Sequence, residues 1–202
     1  TSIGSTGGPI VIWARAASLE SSTDQGYYSL DNGASLSSGG GDVIIAGSSS
    51  VDGNGMPNGH LYTNDSTNNL AFKNGSSSTG TATSISSGTG NIRIYAQTGS
   101  SAAHAMAVQS GTASTISSGT GRIDIDLLSA TVGDNVFEAW NGGLTVTSNA
   151  PADLVNNVPA IKWASNQTNS AAGYNPIQAG GTMIWQATGG GDIDFTATSA
   201  NT

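Results

Sequence analysis

The chain has 202 residues, including 29 Gly, 30 Ser and 22 Thr, and only 9% are charged. Such a composition, poor in Glu, Lys and Leu, argues against a helical bundle or coiled coil. The net charge of −8 with five cations argues against nucleic acid and anionic membranes as partners, and the absence of Cys removes disulfides and thiolate metal sites.

No apolar run approaches the ~18 residues that a membrane-spanning helix needs. The apolar 36% is gathered into short β-branched runs of period two, which is the pattern of strands rather than of a disordered linker. The sequence starts at Thr1 with no initiator Met and no leader pattern, so it is expected to be processed or cut from something longer.

In chain order, one motif recurs: Gly, any residue, then apolar–x–apolar. It reads GPIVIWA from Gly8, GDVIIAG from Gly41, GNIRIYA from Gly90, GRIDIDL from Gly121, GGLTVTS from Gly142 and GDIDFTA from Gly191. The spacings are 33, 49, 31, 21 and 49 residues. The segment before the glycine repeats too, as SIGSTGG, SLSSGGG, SISSGTG and TISSGTG, with Ile3, Leu36, Ile85, Ile116 and Phe137 five positions ahead of it. Gln186 breaks that rule. A third apolar stretch lies between, as in NLAFKNG (Asn69–Gly75), HAMAVQSG (His104–Gly111) and PAIKWAS (Pro159–Ser165).

A unit of 31 residues with three short strands cannot bury an apolar face alone, but stacked copies can. The expectation is one all-β unit over residues 1–202, a right-handed parallel β-helix of about six to seven coils with three strands per coil. Alternation points Ile10/Ile12, Val43/Ile45, Ile92/Ile94, Ile123/Ile125, Leu144/Val146 and Ile193/Phe195 inward. The outward pairs are Val11/Trp13, Ile44/Ala46, Arg93/Tyr95, Asp124/Asp126, Thr145/Thr147 and Asp194/Thr196. A one-residue slip would bury Arg93 and Asp124, so the register is well specified. The two long spacings imply loop insertions at about 51–68 and within 149–179, and the short one implies a coil that has lost a strand. The rival fold is an antiparallel sandwich, which does not explain the near-31 recurrence.

The G-[DN]-[IV]-x-[IF]-x-A strand after a Ser/Gly/Thr corner resembles the β-helical repeats of filamentous-haemagglutinin-like exoproteins, large bacterial surface adhesins. The resemblance covers most of the chain through short motifs. It implies a cell-surface, adhesive or fibrous role and supplies no catalytic residues. The NPNG-type motifs of the secretion domain in such proteins have no counterpart here, so the resemblance is to the shaft.

Asp124 and Asp126 share an outward strand face, and Asp192 and Asp194 lie together elsewhere. Paired acids on a β-helix surface suit acid–base work on polysaccharide or calcium binding, but outward charge also keeps a rod soluble and discourages lateral pairing. No cofactor is expected, calcium on these acids being the one candidate. His60 and His104 carry no nucleophile-elbow context. Thr81/Thr83, Thr145/Thr147 and Thr196/Thr198 spell T-x-T, the pattern of ice-binding solenoids. The aligned outward pairs of the motif are unlike one another, so no ice face is expected. Val11, Trp13, Ile44 and Tyr95 form a candidate surface patch for a sugar or a second subunit, with burial under an insertion loop as the alternative.

The expected function is a non-enzymatic extracellular shaft. A carbohydrate-binding or polysaccharide-degrading β-helix is the alternative. Both ends fall in mid-coil by phase, so the expected partners are further solenoid of the same parent or identical subunits end to end, with a host surface or glycan besides.

Overall fold

The computed structural model describes residues 2–14, 28–30, 33–63, 70–74, 80–99, 104–129, 135–168 and 175–199. Among them there is no helix, and so none long and apolar enough to cross a membrane. The first pass of chain is β1 (Ser2–Ser5), β2 (Ile10–Ala14) and β3 (Tyr28–Leu30). The second is β4 (Ser35–Ser38), β5 (Val43–Val51), β6 (Pro57–Gly59), β7 (Leu61–Thr63) and β8 (Leu70–Asn74). The third is β9 (Ser84–Ser87), β10 (Ile92–Thr98) and β11 (His104–Ser110), and the fourth is β12 (Ser114–Ser118), β13 (Ile123–Ser129) and β14 (Phe137–Asn141). The fifth is β15 (Leu144–Ser148), β16 (Ile161–Gln167) and β17 (Ile177–Ala179), followed by β18 (Met183–Ala187) and β19 (Ile193–Ser199).

The three main strands of a pass pair with their counterparts one pass away, never with one another. The first sheet is β1-β4-β9-β12-β15-β18, the second β2-β5-β10-β13-β16-β19 and the third β3-β8-β11-β14-β17, all parallel. The chain therefore visits the three sheets in rotation, and each pass is one rung. Only the β5–β6 pair is antiparallel among the described strands.

Period-two alternation sends one side of every sheet into a shared core. In the first sheet Leu36, Ile85, Ile116 and Val146 are aligned and fully buried. In the second, Ile45, Ile94, Ile125 and Trp163 do the same. In the third, Met106 aligns with Phe137 and both are buried. Phe137, Trp163, Trp185 and Phe195 then form an aromatic run toward the last rung, with neighbouring ring centroids 4.8–5.4 Å apart.

The corner between the first and second sheets explains the Ser-Ser-Gly-x-Gly motif. The hydroxyl of Ser38 donates to the Gly41 carbonyl at 2.6 Å, that of Ser118 to Gly90 at 2.9 Å and that of Ser148 to Gly121 at 2.8 Å; Ser87 bonds Gly90 likewise. All four serines are buried, so each hydroxyl satisfies a carbonyl that the tight corner takes from water. Two glycine columns follow. A Cβ on Gly88 or Gly119 would overlap the glycine one rung below, and so would one on Gly41, Gly90 or Gly121.

Four expectations need correction. Leu144 and Val146 face inward as expected, but from the first sheet: β15 pairs with β12 and β18. Their expected place in the second sheet belongs to Ile161 and Trp163, part of the stretch expected as a middle strand. Phe137 accordingly lies in the third sheet. No strand is missing after Gly121, because the fourth rung has its β12, β13 and β14. The cause of all of these is that corner glycines precede strands in two sheets, so the motif alone does not name the sheet.

The structure also places the insertions. The second is the stretch between Ser148 and Ile161, far longer than the Ser118–Ile123 corner of the rung before. The first is a hairpin inside the second-sheet strand. Residues 64–68 and 169–174 of the expected ranges lie outside the described residues.

Candidate functional site

β5 and β7 are two parts of one strand position. Ile45 pairs with Ile94 and Leu61 with Ala96, so residues 47–60 are inserted in mid-strand. They leave as the end of β5 and return as β6, with Gly47 opposite Gly59 and Val51 opposite Pro57. Gly47 is required at the base, since a Cβ there would overlap the His60 carbonyl.

This hairpin folds onto the outer face of the second sheet. Asp52 at its turn accepts from the backbone N–H of Asn54 at 2.9 Å and of Met56 at 3.0 Å, and its other oxygen lies 3.0 Å from Arg93 Nη1. Arg93 also donates to the Pro57 carbonyl at 3.3 Å. The His60 ring stacks on Tyr95 with centroids 5.6 Å apart, and the Arg93 guanidinium lies 5.7 Å from the Tyr95 centroid. Tyr95 donates to Asp124 Oδ2 at 2.5 Å, and His60 Nε2 lies 3.2 Å from Asp126 Oδ2. Lys162 Nζ stands 3.8 Å from Asp124 Oδ1.

The register produces this grouping. Ile44, Arg93, Asp124, Lys162 and Asp194 occupy one outward column on successive strands. From Arg93 onward the sign alternates rung by rung, and opposite charges facing across strands are favourable. Tyr95 and Asp126 are paired in the next column.

The electrostatics follow from these contacts. The Met56 amide, then Arg93 and the Asn54 amide hold the Asp52 carboxyl below its usual range. Burial, with the adjacent Asp124 carboxylate, pushes the Tyr95 hydroxyl well above its usual range. Tyr95 is therefore a hydrogen-bond donor at neutral pH, not a base. His60 Nε2 and Asp124 Oδ1 are shut from solvent without an aligned hydrogen bond. The cluster clasps the hairpin to the sheet, and its reactive atoms face one another.

Of the four residues of the expected patch, Ile44 is only 4% exposed and Trp13 54%. Val11 is half-buried in the column before Ile44, and Tyr95 belongs to the clasp. They do not form one open surface, because the hairpin reaches Arg93, the strand neighbour of Ile44. Asp124 and Asp126 lie in the clasp, while Asp192 and Asp194 are exposed at the last strand with Lys162 between Asp194 and Asp124. Among the described residues no three His, Asp or Glu side chains converge as a metal site. His104 lies on the third sheet instead, with Nε2 2.9 Å from Glu138 and Nδ1 2.9 Å from the Asn135 carbonyl.

What the sequence pattern left unseen is that His60, Arg93 and Lys162 gather on the Asp124/Asp126 face. Arg93 and Asp124 hold the same motif position, which is a readable signal. His60 arrives from an insertion whose path no periodicity describes. No family model, curated protein or solved structure matches the chain.

Proposed function

We propose that the chain is a right-handed parallel β-helix and works as a non-enzymatic shaft segment of an extracellular or cell-surface fibre or adhesin. The observation that carries this reading is the unbroken inward register across all rungs of the first two sheets, a core that runs along the stacking direction and can be lengthened by adding rungs. The inward side chains of the end rungs remain accessible: Ile3 is 48% exposed and Phe195 43%, whereas their ladder mates Leu36 and Trp163 are fully buried. Further rungs laid on either end would cover them. Electron microscopy and sedimentation of the chain test the reading. Rods or end-to-end oligomers are expected, and a strictly globular monomer at all concentrations would count against it.

A second reading has its own observation. The cations that acid–base chemistry on a polysaccharide would want stand beside Asp124 and Asp126 on the second sheet. Depolymerisation assays on acidic and neutral polysaccharides separate the two readings. Turnover that disappears in Asp124→Asn would replace the structural reading with the enzymatic one.

A further inference from the structure

The outer side of the first sheet is unlike the other surfaces. Its strands point Ser35, Ser84, Thr115 and Thr145 outward in one aligned column and Ser37, Ser86, Ser117 and Thr147 in a second. Between the columns, Leu36, Ile85, Ile116 and Val146 point inward and are fully buried, so the strands carrying the hydroxyls are anchored by the core. Strand spacing of roughly 4.8 Å and an i to i+2 repeat of roughly 6.8 Å then set a two-dimensional lattice of hydroxyls. The T-x-T of Thr145 and Thr147 thus has like partners on the three preceding rungs, contrary to the expectation from the second-sheet alignment.

Two further facts narrow what such a lattice fits. None of the five cations and 13 acids of the chain lies on a strand of this sheet. The eight outward positions also hold no aromatic ring. A polyelectrolyte or an ionic mineral needs countercharge, and a sugar chain is commonly gripped on aromatic faces. Neither is offered here. Some hydroxyls are spent along the ladder, as Ser86 donates to Ser37 and Ser35 to Ser2, both at 3.0 Å. Those of Thr115, Ser117, Thr145 and Thr147 bond no other described residue and remain for water. Hydroxyls fixed on a lattice hold first-shell water at fixed positions, and the three threonines add methyl groups beside them. The occupant that matches a neutral, periodic array of hydrogen-bonding groups is itself periodic, neutral and hydrogen-bonding.

We propose that the outer face of β4, β9, β12 and β15 binds solid water, adsorbing to ice through the two hydroxyl columns. The proposal is independent of the shaft reading, since a fibre segment and a free domain would present the same face. The test uses the whole chain. Its incorporation into a slowly grown ice body, its shaping of single ice crystals and the gap between melting and freezing in its presence are measured. Wild-type protein is expected to enter the ice and open that gap. Thr145→Lys and Thr147→Val are expected to lose both effects while keeping the wild-type melting temperature, because both positions face outward. The control Lys162→Thr, on the second sheet, is expected to keep them. Exclusion of the wild-type protein from ice overturns the proposal. So does retention of ice binding by both folded first-sheet variants, or its loss in Lys162→Thr. Binding to crystalline cellulose or chitin without ice binding, lost in the same first-sheet variants, would overturn it by assigning the face to a solid polysaccharide.

Discussion

Buried serines hold this molecule at its corners. Ser148 is fully buried, and its hydroxyl caps the Gly121 carbonyl at 2.8 Å. Removing the donor leaves a carbonyl without solvent, which costs roughly 1–3 kcal/mol. Ser148→Ala is expected to lower stability by about that amount in chemical denaturation, whereas Thr147→Ala, one residue earlier and facing outward, is expected to change little. Tyr95 gives a test in pH. Its folded hydroxyl titrates above the unfolded value of about 10, so the protonated form is the one the fold favours. The stability it contributes is fully present below pH ~10 and is lost as pH rises toward the folded value. Alkaline titration by ultraviolet absorbance should therefore show a late-ionising tyrosine, and Asp124→Asn should bring it earlier by removing the neighbouring negative charge. Ionisation of all tyrosines together in the wild type would contradict the clasp geometry.

Strands test the register. Ile94 and Ile125 face one another on adjacent rungs, and both are fully buried. Ile125→Asp would bury an unpaired charge, so it is expected to cost several kcal/mol or prevent folding, whereas Thr145→Ala on the outer face should be near neutral in thermal denaturation. Most of the second-sheet ladder was legible in the sequence because β-branched residues return at a constant phase after a corner glycine. The rung at β16 shows the limit of that signal. At β16 the glycine position is taken by Pro159, since the chain enters from the long 149–160 stretch instead of the tight corner. With the glycine gone there, the motif points instead to Gly142, whose strand belongs to the first sheet. The hydroxyl face was present in the letters as S-[LI]-S-S and T-I-S-S. Its alignment depends on β15 pairing with β12, which the motif phase does not show. The hairpin clasp was not legible, because Asp52 and His60 reach Arg93 and Asp126 through a fold of the chain that carries no repeat.

At the scale of the molecule, three parallel sheets share one apolar core that turns aromatic toward the last strands, and the first and second sheets differ at their outer faces. The first sheet is neutral and hydroxylated, while the second carries the alternating charge column and the clasped hairpin. Lateral contact through the second sheet is disfavoured by its exposed charge, so association is expected along the stacking direction. On the last rung Ile193 is 41% and Phe195 43% exposed although both continue buried columns, and at the other end Ile3 continues the column of Leu36. Among the described strands, β1, β2, β18 and β19 pair on one side only, and such edges are the usual route to edge-to-edge joining. Contact between unlike ends does not close on itself and gives a filament rather than a ring or dimer. Sedimentation of the wild-type chain is thus expected to show mass rising with concentration in a graded series. Phe195→Asp should hold it at the monomer by placing a charge in the contact, and Asp194→Asn, whose side chain faces outward, should leave the series intact. A discrete dimer that persists in Phe195→Asp would place the contact on another surface.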